Sequence, residues 1–222
     1  MLASVSGFTA VAIYLGGFIY LLRQLLKSPN FNPSLLNIMA AAAIAMHGFS
    51  AARLLFVADG LDLSLLKIVT LTFLVINLVV FISGQKKALH TMYLLLFPIS
   101  AISLVAALST PSTKVAEVMS PYIQGHILIS ILAYSFLAIA ALQAILTGYQ
   151  NWQLKHKQQN FLMRAFPPLQ TMEKFLFDLI WAGQIFLSLS LISGFLYYED
   201  LFDQKLIHKV TLSLIAWSVY AV

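Results

Sequence analysis

Apolar runs long enough to cross a bilayer follow one another along nearly the whole chain, and they leave room for only one class of fold. A spanning helix needs about 20 mostly apolar residues. That criterion predicts six spans, over residues 3–22, 35–57, 65–82, 89–108, 122–149 and 175–197. A further run, 207–222, is long enough for most of a seventh, and the chain stops inside it, so more sequence is expected beyond. The first run has no Lys or Arg ahead of it and no small-residue cleavage site behind it, which predicts a retained span rather than a signal peptide. The expected fold is an all-α polytopic integral membrane bundle, with six full spans plus a seventh at the C-terminus. No internal repeat divides it, so 1–222 reads as one transmembrane domain.

Composition agrees. Hydrophobic residues make up 60% of the chain and charged residues 9%, more apolar surface than a water-soluble domain can cover. The chain has no cysteine, which removes disulfides, thiolate metal sites, thiol nucleophiles and covalent c-type haem attachment within it. The net charge of +5 would suggest nucleic acid in a soluble protein, but in this class it is read by position, because basic residues are retained on the cytoplasmic side. Arg23, Lys27, Lys86, Lys87, Lys155, Lys157, Arg164 and Lys174 fall in one set of connections, with only Glu173 and Asp178 as acids. The other set holds Arg53, Lys67, Lys114, Lys205 and Lys209 against Asp59, Asp62, Glu117, Glu199, Asp200 and Asp203. The first set is therefore assigned to the cytoplasm and the N-terminus to the outside. The longest connection, 150–172, is cytoplasmic and carries Pro167-Pro168, which breaks the chain before the sixth span.

Polar chemistry is so scarce that each histidine carries weight. His126 opens the fifth span at the outer surface and is followed at intervals of four by Ser130 and Tyr134, a stripe on one helix face. Such a stripe either ties helices together or presents an imidazole as a metal ligand. His47 lies mid-span, where a polar side chain is costly, and the same two readings stand open for it. Arg53 lies one and a half to two turns further out, near enough for a propionate of a haem held by His47, or simply as an interfacial snorkelling residue. His208 beside Lys205 and Lys209 reads as a solvated helix start, and His90 and His156 as cytoplasmic surface groups. No pair has the spacing typical of zinc. Asp178 suits a helix N-terminus at the start of the sixth span. Glu199, Asp200 and Asp203 read as a solvated loop. Gly183, Ser190 and Gly194 form a small-residue face for close helix packing. No phosphate-binding glycine loop, serine nucleophile motif or paired acid and base is present, which argues against a hydrolase or kinase.

From His126 onward the chain resembles the cytochrome c assembly membrane proteins, the CcsA and HemX-like group, and within it the small YpjD-like branch of bacterial inner-membrane proteins. The likeness rests on the helix from His126 to Tyr134, on Pro167-Pro168-Leu169 with Met172-Glu173-Lys174, on Gly183 to Gly194-Phe195-Leu196-Tyr197, and on Leu214-Ile215-Ala216-Trp217. In the first half it rests on topology and His47. The resemblance implies a multi-pass inner-membrane location and handling of haem b, with His126 matching the external ligand histidine and His47 the one within the membrane. It implies no bond-making catalysis. Expected partners are the lipid bilayer, haem and other membrane proteins, with no nucleic acid. Two features depart from the family pattern: the stretch 198–209 holds no tryptophan where the family has a tryptophan-rich haem cradle, and the later helix with further histidines is not in this chain. The alternatives are a non-haem regulatory or accessory subunit of the HemX-like kind, or a small transporter component, the last disfavoured by the low intramembrane charge.

Overall fold

The computed structural model describes residues 2–27, 33–57, 60–85, 89–110, 120–157, 163, 166–197 and 207–221. The helices run α1 Leu2–Lys27, α2 Pro33–Leu55, α3 Leu65–Gly84, α4 Tyr93–Ser109, α5 Pro121–Lys155, α6 Leu169–Tyr197 and α7 Ile207–Ala221. Among the described residues, six helices are long and apolar enough to cross a membrane, α4 counted with the short 3-10 turn His90–Met92 that leads into it. α7 is shorter and apolar. The fold is thus the all-α polytopic membrane bundle that the run lengths demand. Large apolar side chains such as Phe8, Ile102, Ile145 and Ile192 stay exposed on it, a surface suited to lipid.

Helices α5 and α6 each extend well beyond the expected bounds, for local reasons. Helix α5 is 35 residues long, roughly 52 Å at 1.5 Å per residue, because nothing in 150–155 breaks a helix once the apolar run has ended. Helix α6 begins directly after Pro167-Pro168, and the Pro168 carbonyl accepts hydrogen bonds from the Thr171 (2.9 Å) and Met172 (3.2 Å) amides. Asp178 therefore lies well inside α6 and exposed, not at the helix N-terminus expected for it. The only strand pairing among the described residues is a two-residue antiparallel ladder between α2 and α3, pairing Phe56 with Leu61 and Val57 with Gly60.

The chain forms two compact units, one of 1–118 with 146–172 and the other of 119–145 with 173–222. In the first, α1 packs on α2 and α4, and α3 packs on α2 and α4. The buried positions of α3 include Lys67, Thr70 and Asn77, so this unit has a polar spine. Lys67 pairs with Asp62, both essentially fully buried at 1% and 3% exposure. The Asp62 carboxylate also accepts from the Ser64 amide at 3.0 Å. Both residues were expected among the outward loop charges; instead they neutralise each other inside the bundle, which subtracts one charge of each sign and leaves the loop asymmetry intact. Further along α3, Asn77 Nδ2 donates to Ser100 Oγ of α4 at 2.6 Å.

In the second unit, Ala133 and Leu137 of α5 meet Leu187 of α6, with Phe186, Leu191, Ala216 and Tyr220 packed around them. A Cβ on Gly183 would sit 2.5 Å from Leu137 Cδ2 and 3.3 Å from its backbone nitrogen. The two helices approach this closely because the residue is glycine, as small-residue packing predicts. Gly183→Val is expected to force α5 and α6 apart and destabilise by about 1–3 kcal/mol, read as a lowered midpoint of thermal unfolding in detergent.

Candidate functional site at one end of the α5–α6 seam

The stripe on α5 finds a partner at every step. His126 Nδ1 lies 2.9 Å from Ser193 Oγ of α6, Ser130 Oγ 2.6 Å from Ser190 Oγ of α6, and Tyr134 Oη 3.0 Å from Ser213 Oγ of α7. The register explains this. Moving from His126 to Ser130 to Leu137 on α5 matches, residue for residue, the return from Gly194 to Ser190 to Gly183 on α6, so one straight antiparallel seam carries polar contacts at its end and apolar ones further in. Trp217 Nε1 of α7 donates to Ser188 Oγ at 2.8 Å, and Gln184 Nε2 donates back to the Trp217 carbonyl at 3.1 Å. The small-residue face of α6 is thus a packing surface, and its serines are hydrogen-bonding positions.

His126 itself is partly buried. Its ring lies over Gly194, where a Cβ would stand 3.2 Å from Cε1. One turn further out, Tyr122 of α5 and Tyr197 of α6 stack with centroids 5.0 Å apart and planes 21° from parallel. Both are well exposed, at 63% and 45%. The pair lies outside 198–209, where the family pattern puts an aromatic cradle, a stretch beyond the described residues apart from the start of α7. The spacing does hold a signal: Tyr122 precedes His126 by one helical turn, and Tyr197 follows Gly194 by about one turn on the antiparallel helix.

His47 belongs to the other unit and is 0% exposed. Its Nδ1 lies 3.1 Å from Tyr14 Oη of α1 and its Nε2 3.0 Å from Thr70 Oγ1 of α3. The Tyr14 ring meets the imidazole edge-on at 5.8 Å and contacts Phe97 of α4 at 5.2 Å. Both ring nitrogens are therefore engaged, and iron ligation at His47 requires one of these bonds to open. Arg53 does not share the site expected for it with His47. Six residues at about 100° each turn it some 240° around α2, and it lies exposed with its guanidinium 6.0 Å from the Phe49 ring centre.

The remaining histidines are peripheral. His156 is exposed and hydrogen-bonded to the Trp152 carbonyl at 2.8 Å. His208 is exposed in the first turn of α7. His90 differs from expectation: it is partly buried, in the 3-10 turn before α4. Among the described residues no group of three or more His, Asp or Glu side chains could hold a metal ion. The acidic residues Glu199, Asp200 and Asp203 lie outside the described residues.

Comparison with known proteins bears on the site. The cytochrome C assembly protein family matches residues 35–222, a match that reaches back through α2 and His47. The inner membrane protein YpjD of Escherichia coli K12 is 32% identical over 188 residues, covering 83% of this chain and 71% of that protein. The protein of the same name from Escherichia coli O157:H7 matches equally. A 28.8 kDa protein in the nifR3-like 5′ region of Azospirillum brasilense is 31% identical over 100 residues, 44% of this chain and 37% of that protein. No solved structure matches the chain. With a multi-pass bundle of apolar helices, a family match across nearly the whole chain and relatives at this level of identity, the chain belongs to the cytochrome c assembly protein family.

Proposed function

We propose that this protein handles haem b in the bacterial inner membrane, in connection with cytochrome c biogenesis, by axial ligation from His126 and without bond-making catalysis. The observation that carries the reading is the grouping of a partly buried imidazole with an exposed, stacked tyrosine pair one turn away, at one end of an apolar seam. Haem needs an axial ligand, a flat apolar or aromatic surface and donors for its propionates. His126 offers the first, the Tyr122 and Tyr197 rings the second, and their phenol hydroxyls suit the third. Gly194 fits as well, since a side chain there would press on the imidazole. When bound, haem supplies an iron centre that accepts the imidazole lone pair. The chain's own residues hold the ring, shield one side of it and set its hydrogen bonding. His47, with both nitrogens engaged, serves this reading as a structural residue.

The inner-membrane location follows the name of the Escherichia coli relative, and the charge asymmetry of the connections supports an outer-side position for His126. A second reading, a non-haem accessory subunit acting through membrane partners, is favoured by the use of the α5 stripe in holding α6 and α7.

Absorbance separates the two. Protein purified from haem-replete cells is expected to show a Soret band that His126→Ala abolishes, while Tyr122→Ala and Tyr197→Ala weaken haem retention. A colourless wild type that takes up no haem on reconstitution sinks the haem reading and leaves the accessory one.

A further inference from the structure

The polar contacts at one end of the α5–α6 seam close into a ring, and one proton per hydroxyl gives a consistent set of donors around it. Each serine hydroxyl has one proton. Ser130 Oγ lies 2.7 Å from the His126 carbonyl, which only accepts, so the Ser130 proton is committed there. In the 2.6 Å contact between the Ser130 and Ser190 hydroxyls the donor is then Ser190. Ser193 Oγ donates to the Ser190 carbonyl at 2.9 Å. Its proton spent, Ser193 can only accept in the 2.9 Å contact with His126 Nδ1. In this arrangement the imidazole donates from Nδ1, a neutral imidazole carries a single N–H, and the ring also hydrogen-bonds the Ser190 backbone.

We infer that Ser193 is a positioning residue, which holds His126 in its Nδ1–H form and so places the ring's lone pair on Nε2, the nitrogen offered to a metal. The inference rests on the proposed ligand role of His126. Metal-binding histidines generally donate their second ring N–H to a neighbouring acceptor, and that bond fixes both tautomer and ring orientation. Here one acceptor is a hydroxyl whose own proton is tied down by the Ser190 carbonyl, beside the ring's hydrogen bond to the Ser190 backbone. The same serines hold the two helices together, so a change in helix spacing reaches the imidazole through its hydrogen bond.

The test begins without haem. In 15N-histidine-labelled protein, with the His126 signals identified by their loss in His126→Gln, the wild type is expected to show a protonated Nδ1 and an unprotonated Nε2. Ser193→Ala should let the Nε2–H form appear, and Ser193→Thr should restore the wild-type pattern. Titration with iron protoporphyrin IX should then show affinity weakened about 10–100-fold in Ser193→Ala and near wild type in Ser193→Thr. A wild type in the Nε2–H form, or a Ser193→Ala protein that keeps Nδ1 protonated, overturns the positioning role and leaves haem binding by His126 standing. A wild type with the Nδ1–H form that binds no iron protoporphyrin overturns the ligand role and the positioning role together.

Discussion

Lys67→Ala is expected to destabilise the protein by about 3–5 kcal/mol, the cost of stranding one member of a buried ion pair. The partner it abandons, Asp62, is almost completely buried, and its carboxylate also accepts from the Ser64 amide. Asp62→Ala should cost a similar amount for the converse reason, an ammonium left inside the first unit. The informative variant is the double one. Replacing Lys67 by Met and Asp62 by Leu removes both charges together, and buried pairs exchanged for apolar residues of similar volume are commonly neutral or stabilising. The double variant should therefore recover most of what either single variant loses, as measured by equilibrium unfolding in detergent. If the single variants unfold at the wild-type midpoint, the pair is solvated in the membrane-embedded protein and this account of it fails. The pair also braces the connection between α2 and α3, since the Asp62 amide donates to the Leu55 carbonyl at 2.8 Å. Limited proteolysis of that connection gives a second readout.

The spans were legible in the sequence because run length and apolarity alone decide whether a segment can sit in hydrocarbon, where each backbone group must be satisfied within its own helix. The ends of helices were less legible. Residues 150–155 extend α5 although Asn151, Gln153 and Lys155 carry no apolar signal, and the start of α6 was set by a proline pair and not by the first apolar residue. Burial of charge was not legible at all. Lys67 and Asp62 sit where loop charges belong in sequence, and only the turn between α2 and α3 folds them inward against each other.

The candidate site was half legible for a similar reason. A stripe such as His126, Ser130 and Tyr134 is visible within one helix, because residues four apart share a face. Its partners Ser193, Ser190 and Ser213 lie on other helices, and finding them needs the antiparallel register of α5 and α6. That register places Tyr122 against Tyr197 and Gly183 against Leu137 as well. Sequence could mark Gly183, Ser190 and Gly194 as a packing face, but it could not show that Ser193, next to the glycine, is the residue that touches the imidazole.

His47 supplies the other large effect. His47→Ala is expected to cost roughly 2–5 kcal/mol, since it opens space in the core and leaves the hydroxyls of Tyr14 and Thr70 to be satisfied elsewhere, each at about 1–3 kcal/mol. The loss is steep because the imidazole links three helices, α1, α2 and α3, and through the Tyr14 ring it also bears on α4. Removing all the polar partners at once should be far milder, as apolar replacements of like shape leave nothing unsatisfied. The triple variant Tyr14→Phe, His47→Leu, Thr70→Val is thus expected to unfold near the wild-type midpoint. This variant also decides between the two roles weighed for His47, because it deletes the imidazole without the penalty of a damaged core. Haem uptake per folded molecule should match the wild type in it, while His126→Ala should lose uptake with its midpoint little changed. If the stable triple variant instead loses its Soret band, the Tyr14 and Thr70 bonds must open in the working protein, and His47 is a ligand after all.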